Sequence, residues 1–205
     1  MPDPINWSLA LPYFLAAIAF GYLIGSVPFG LIFTRMAGLG DIRKIGSGNI
    51  GATNVLRTGN VPIAIATVLA DLLKGTFAYA ITHHYYGVDM AMLAGLGAFL
   101  GHCFPIWLRF KGGKGVAIYI GIIIPIFLKV ALIFCAIWIT VAAITRYSSL
   151  AGIVSAIITP PSFFLLGYAQ AGELFILLTF IILVKHRSNI KRLLTGKEGM
   201  ISFGK

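Results

Sequence analysis

Long apolar runs alternate with short polar stretches along this chain, and glycine or proline marks most of the junctions. The apolar runs fall at roughly 10–36, 60–82, 90–108, 116–145, 149–168 and 171–185. A membrane-crossing helix needs about 20 mainly apolar residues. The pattern therefore predicts an all-α polytopic membrane protein, built as a single integral membrane domain over 1–205. The run 116–145 is long for one crossing and short for two. It divides near Pro125 and Lys129 into two short or tilted helices.

The polar stretches set the expected orientation. Basic residues concentrate at 35–57, 109–114 and 185–197, whereas the N-terminal MPDPINW, the segment around Asp89 and the segment around Glu173 carry acids without lysine or arginine. The positive-inside rule places all three basic stretches in the cytoplasm. Returning to the same side between the second and third requires an even number of crossings. Splitting 116–145 supplies it, so the expectation is seven transmembrane helices, N-terminus outside and C-terminus cytoplasmic. Lys129 is then a lone outside cation, which snorkelling tolerates.

Composition supports the membrane assignment. Charged residues make up 11%, against about 25% in soluble domains, which excludes an ordinary water-soluble fold. The net charge of +10 borders the apolar runs, so anionic lipid headgroups or phosphorylated substrates fit it better than nucleic acid. No helix-turn-helix pattern, aromatic RNA platform or paired-cysteine zinc site accompanies it. Cys103 and Cys135 lie inside apolar runs and read as buried small hydrophobes, not a disulfide framework. MPDPINW lacks a basic n-region and reads as a mature start, not a signal peptide, and the last few residues read as a tail. Asp71 and Lys74, three apart within an apolar run, share a helix face and read as a structural ion pair.

Three stretches carry chemistry. In GSGNIGATN the glycines let backbone amides approach a ligand, and Gly46, Ser47, Gly48 and Asn49 form a candidate anion site, with Arg57 one turn further on. In RFKGGKG, Gly112, Gly113 and Gly115 can wrap an oxyanion between Lys111 and Lys114, with the next helix starting there; the GxxxxGK[ST] pattern itself is absent. His102, just upstream, reads as a packing residue. In KHRSNIKRLLTGKEG, His186, Asn189 and Arg192 recur every three residues and can share one face. A shorter signal, RYSSLAG at 146–152, offers Ser148 or Ser149 to a phosphate. The four motifs are thus 41–57, 109–115, 146–152 and 185–199. Asp41 and Glu198 are the only acids expected on the cytoplasmic side outside the spans. No carboxylate pair stands near the clusters, so neither a metal nor another cofactor is expected.

These motifs, GSGNIGATN with Arg57, GHCFP with FKGGKGVA, SLAG after Arg146, and HRSNIKRLLTGKE, resemble the bacterial glycerol-3-phosphate acyltransferases that use acyl-phosphate as donor. The resemblance spans essentially the whole chain, in the family's order. It implies a small seven-helix enzyme of the inner membrane, with its active site on the cytoplasmic face. The implied reaction moves a fatty acyl group from acyl-phosphate to the 1-hydroxyl of glycerol 3-phosphate, giving 1-acylglycerol 3-phosphate and inorganic phosphate. The implied partners are those two substrates and membrane phospholipid. Catalytic roles fall on Ser47, Arg57, Lys114, Ser149, His186 and Asn189, with Gly112, Gly113 and Gly115 as the glycine loop. The histidine–aspartate HxxxxD pair of acyltransferases with soluble donors is absent: Trp107 stands at that offset from His102. The competing class is a transporter for a phosphorylated solute, although its site is expected at mid-membrane and not on one face.

Overall fold

The computed structural model describes residues 7–201. The acidic N-terminal residues 1–6 and the tail 202–205, on which two expectations fall, lie outside the described residues. The described chain is helical, in agreement with the apolar pattern: α1 (Trp7–Gly25), α2 (Phe29–Met36), α3 (Ala52–Leu56), α4 (Val61–Cys103), α5 (Val116–Ile126), α6 (Leu128–Thr145), α7 (Ser148–Leu165), α8 (Ala169–Lys185) and α9 (Arg187–Leu194).

Helix α4 is folded on itself. Gly87 has φ 80 and ψ −176, a conformation open to glycine and costly for other residues. Asp71 and His102 would stand about 46 Å apart on a straight helix, yet their side chains approach to 3.6 Å. The two limbs therefore run back along each other. The second limb seats on α1 through small residues: a Cβ on Gly21 or Gly25 would meet the backbone of Ala94 or Ala98, and one on Gly97 or Gly101 that of Ile18 or Tyr22. Without a hydrophobic force between helices in lipid, such close backbone approach supplies the packing.

The expectation of seven crossings is corrected. Among the described residues, four segments are long and apolar enough to cross a membrane: Leu9–Met36, Val61–Leu108, Leu128–Thr145 and Ser148–Leu165. The pair Ala169–Lys185 and Arg187–Leu194, bent by 60°, makes at most a fifth. The expected runs 60–82 and 90–108 belong to one such segment. The expected division of 116–145 is present, but α5 has only 11 residues, about 17 Å of helix against a hydrocarbon core of about 30 Å. It serves as the protein's own core. Ile118, Tyr119, Ile122 and Ile123 are fully buried, and the Tyr119 ring meets Phe175 of α8 edge-on at 4.7 Å. The Tyr119 hydroxyl contacts Thr179 Oγ1 at 2.7 Å and donates to the Ala156 carbonyl at 3.2 Å, tying α5 to α7 and α8. With the count gone, the parity argument for an outside N-terminus and cytoplasmic C-terminus loses its basis.

The helix seams make a stability prediction. Gly97→Ala drives a methyl into the Ile18 backbone, which cannot give way as a side-chain end can. The expected cost is about 1–3 kcal/mol, read as a lowered midpoint of thermal unfolding in detergent. Leu194→Ala, at a side chain 83% exposed, should stay within about 0.5 kcal/mol.

Candidate active site

The polar stretches, distant in sequence, meet around one cavity of about 410 Å³. Each reaches it by a local device. In the first stretch the device is Asn54, on α3 and 2% exposed. Its Nδ2 donates to the carbonyls of Ile42 at 2.7 Å, Asn49 at 2.9 Å and Ile45 at 3.2 Å, and its Oδ1 accepts from the Ser47 amide at 3.0 Å. One side-chain amide thus folds the loop 42–51 around itself. Asp41 caps the short 3₁₀ turn at Ile42–Lys44, accepting from the Arg43 amide. The Arg43 guanidinium, 2.6 Å away, holds the Asp41 carboxyl well below the usual carboxylate range. Ser47, Asn49 and Arg57 line the cavity.

The glycine loop docks on the end of α4. The Gly113 amide donates to the His102 carbonyl at 3.0 Å and the Gly112 amide to that of Cys103 at 3.2 Å. A Cβ on Gly113 would collide with the His102 ring. Gly115, at φ 92, turns the chain into α5. The docking presents Lys114, half-buried, to the cavity. Burial pushes its ammonium down to about 8, opposed by the nearby Glu198 carboxylate.

The third stretch enters at the bend between α8 and α9. His186, 2% exposed, has Nδ1 2.9 Å from the Ile182 carbonyl. That contact requires the proton on Nδ1 and leaves Nε2 as the free ring nitrogen. Lys114 Nζ donates to Asn189 Oδ1 at 2.6 Å, and Asn189 Nδ2 donates to Glu198 Oε1 at 2.6 Å. Ser149, in the first turn of α7, donates to the same Oε1 at 2.7 Å, while Arg192 Nε donates to Oε2 at 2.6 Å. Burial alone would raise the Glu198 pKa; the bonds from Ser149, Asn189 and Arg192 hold it below the ordinary value.

All six residues given catalytic roles by resemblance, Ser47, Arg57, Lys114, Ser149, His186 and Asn189, line this cavity, as do Asn49 and Gly115. The remaining expected phosphate contacts, Gly46, Gly48, Lys111, Gly112, Gly113 and Arg192, are not on its wall. The reason is physical. The amides of Gly48, Gly112 and Gly113 are already bonded to carbonyls of the chain, so these glycines serve tight folding instead of offering free donors. Gly46 leaves room for Asn54 and Arg57, Lys111 is exposed, and Arg192 is committed to Glu198.

Sequence reasoning missed Glu198 as the acceptor that joins α7, α9 and the Lys114 loop. Its signal was a lone acid in a basic stretch. It also missed Asn54 as the loop's organiser, and Asp71 and His102 as cavity residues. The ion pair expected of Asp71 and Lys74 is present at 2.8 Å. Among the described residues, no group of three or more His, Cys, Asp or Glu is placed to hold a metal ion.

Known proteins resemble this chain in sequence and fold. The family model described as glycerol-3-phosphate acyltransferase matches residues 15–196. A glycerol-3-phosphate acyltransferase of Sinorhizobium fredii is 56% identical over 199 residues, covering 97% of this chain and 98% of that protein. One from Mesorhizobium japonicum is 57% identical over 187 residues, covering 91% and 95%. Among solved structures, PlsY, an integral membrane glycerol 3-phosphate acyltransferase crystallised in its glycerol 3-phosphate form, superposes with a TM-score of 0.87 at 36% identity, covering 92% of this chain and 96% of that one. Its lysophosphatidic acid form superposes with a TM-score of 0.86 at 35% identity, covering 93% and 96%. Agreement in sequence, length and fold over nearly the entire chain makes this protein a member of the glycerol-3-phosphate acyltransferase family.

Proposed function

We propose that this multi-pass membrane protein transfers a fatty acyl group from acyl-phosphate to the 1-hydroxyl of glycerol 3-phosphate. The products are 1-acylglycerol 3-phosphate and inorganic phosphate. The observation that carries the reading is the convergence of Arg57, Lys114, Ser149, His186 and Asn189 on one cavity, in a chain whose relatives are glycerol-3-phosphate acyltransferases. The basic stretches that border the cavity support, by the positive-inside rule, a site on the cytoplasmic face of the inner membrane.

The chemistry asks for charge stabilisation and positioning. Acyl-phosphate is already activated, because phosphate leaves readily. The acceptor oxygen bonds to the acyl carbon, the bond from that carbon to the phosphate oxygen breaks, and the hydroxyl proton passes to phosphate. Lys114 and Arg57 neutralise the phosphates and the developing oxyanion. Asn189 and Ser149 hold the cationic wall in register through Glu198. Holding both reactants in line contributes further by removing orientational freedom. His186, with Nδ1 anchored to Ile182, presents Nε2 as a fixed acceptor that orients the substrate hydroxyl, while substrate phosphate takes the proton.

The reading is tested with purified protein, glycerol 3-phosphate and either palmitoyl-phosphate or palmitoyl-CoA, measuring lysophosphatidic acid and released phosphate. Product is expected from palmitoyl-phosphate alone. Lys114→Ala should lower turnover about 10²–10³-fold, the scale for losing one oxyanion donor. Folded protein that binds glycerol 3-phosphate yet makes no product from either donor would instead favour uptake of a phosphorylated solute. For His186→Gln, weaker acceptor binding with the pH profile retained is expected. Collapse of turnover with intact binding and loss of one pH limb would make His186 the base.

Lys114 also sets a pH dependence. Its pKa is lowered by burial to about 8, so it carries charge below that value and loses it as pH rises through it. Affinity for glycerol 3-phosphate should hold from pH 7 towards 8 and weaken above. Lys114→Arg, whose guanidinium stays charged, should abolish that inflection in direct binding measurements.

A further inference from the structure

Hydrogen bonds fix Lys114, His186 and Glu198 on the cavity wall, but none fixes Arg57. Arg57 lines the cavity, and its guanidinium makes no hydrogen bond or ion pair among the described residues. The Lys114 ammonium repels it. An unbonded arginine has many rotamers open to it, so packing must hold this one in place.

Two glycines supply that packing. A Cβ on Gly46 would stand 2.6 Å from Arg57 Nη1 and 2.7 Å from its Cδ, and a Cβ on Gly199 would stand 3.0 Å from Nη2. Each terminal nitrogen therefore lies against a backbone without a side chain. Gly46 belongs to the loop that Asn54 organises. Gly199 comes from the far end of the chain, in the strap 197–201 that follows α9, and it also lines the cavity. The two are glycine for different reasons. Gly46 has φ 52, which favours glycine for the backbone alone. Gly199 is not among the positive-φ residues. The Arg57 guanidinium is the only group of the described residues within 4 Å of where its Cβ would stand. Nor can the strap retreat. Glu198, one residue before, is held by Ser149, Asn189 and Arg192. Ile201, two residues after, donates its amide to the Arg146 carbonyl at 2.8 Å and accepts from Arg146 Nη2 at 3.3 Å.

We propose that Gly199 is a positioning residue for the transfer reaction: the pinned strap sets its bare backbone against the Arg57 guanidinium and aims that cation into the cavity, with Gly46 as the second stop. The inference rests on the acyltransferase reading above. A carboxylate could hold Arg57 as firmly, but it would cancel the charge. Two glycines hold the side chain and leave its five N–H groups to anionic substrate oxygens.

The test is a double-substitution cycle of Gly199→Ala and Arg57→Lys, reading kcat and KM for glycerol 3-phosphate with palmitoyl-phosphate as donor. A methyl at position 199 pushes the guanidinium by a few tenths of an ångström. A misplacement of about 1 Å can cost about 10²-fold, so Gly199→Ala should lower kcat/KM about 3–10-fold. Arg57→Lys keeps the charge but has no Nη2 for the methyl to meet. In that background Gly199→Ala should cost less than about twofold, the ordinary scatter of independent sites. The same loss in both backgrounds, or no loss in either, overturns the proposal. If Gly199→Ala alone fails to fold, adding Arg57→Lys should restore the fold, and failure to do so overturns it as well. Absence of transfer by the wild-type protein sinks the acyltransferase reading instead. The cycle is then read from dissociation constants for glycerol 3-phosphate, where equal losses in the two backgrounds overturn the proposal.

Discussion

A buried carboxylate must be matched by donors, and Glu198 is matched by three that come from different parts of the fold. Ser149 brings the start of α7, Asn189 and Arg192 bring one face of α9, and Asn189 in turn holds Lys114 on the glycine loop. Truncating such a centre would leave cations and amides stranded at low dielectric, where uncompensated charge is expensive. The polar wall therefore assembles as a unit. Its charge balance is also informative. Two carboxylates, Glu198 and Asp71, line the cavity with Arg57 and Lys114; because Arg192 pairs with the first and Lys74 with the second from behind the wall, the assembly keeps a positive excess that phosphate can neutralise.

The helical class and the meeting of the polar stretches were legible in the sequence because both rest on strong local signals. Apolar runs broken by glycine and charge mark helices, and basic clusters at their ends share one side. The number of crossings was not legible, because the parity argument assumed that each apolar run crosses the membrane. Residues 116–126 are as apolar as any lipid-facing helix, but Ile118, Tyr119 and Ile122 bury against protein. Nothing in periodicity separates those two fates. The turn at Gly87 was legible, because the polar segment HHYYGVD separates the apolar runs 60–82 and 90–108.

Within the site, what could be read was side-chain chemistry, and what could not was who already holds whom. GSGNIG and KGGKG both look like amide cradles for an anion. The amides of Gly48, Gly112 and Gly113 are instead taken up by Ile45, Cys103 and His102, and the glycines are needed for the closeness of those contacts. Hence the same residue type, in a pattern suited to phosphate binding, acts one layer behind the wall. Glu198 escaped for the converse reason: a single acid among lysines and arginines reads as surface charge until the fold turns it inward.

The doubled-back α4 explains how two distant parts of one helix reach the same cavity. Its second limb ends at His102 and Cys103, whose carbonyls dock the loop carrying Lys114. Its first limb brings Asp71 beneath that loop. An aspartate beside an anion site would ordinarily weaken anion binding, yet here Lys74 pairs with its Oδ1 at 2.8 Å and cancels most of its long-range field. The carboxylate can then stand on the wall of the cavity beside Lys114 without cancelling the positive charge there. A lone neutral acceptor at position 71 would need no lysine at position 74. The buried pair is what allows an ionised carboxylate to stand in the wall of a cationic cavity.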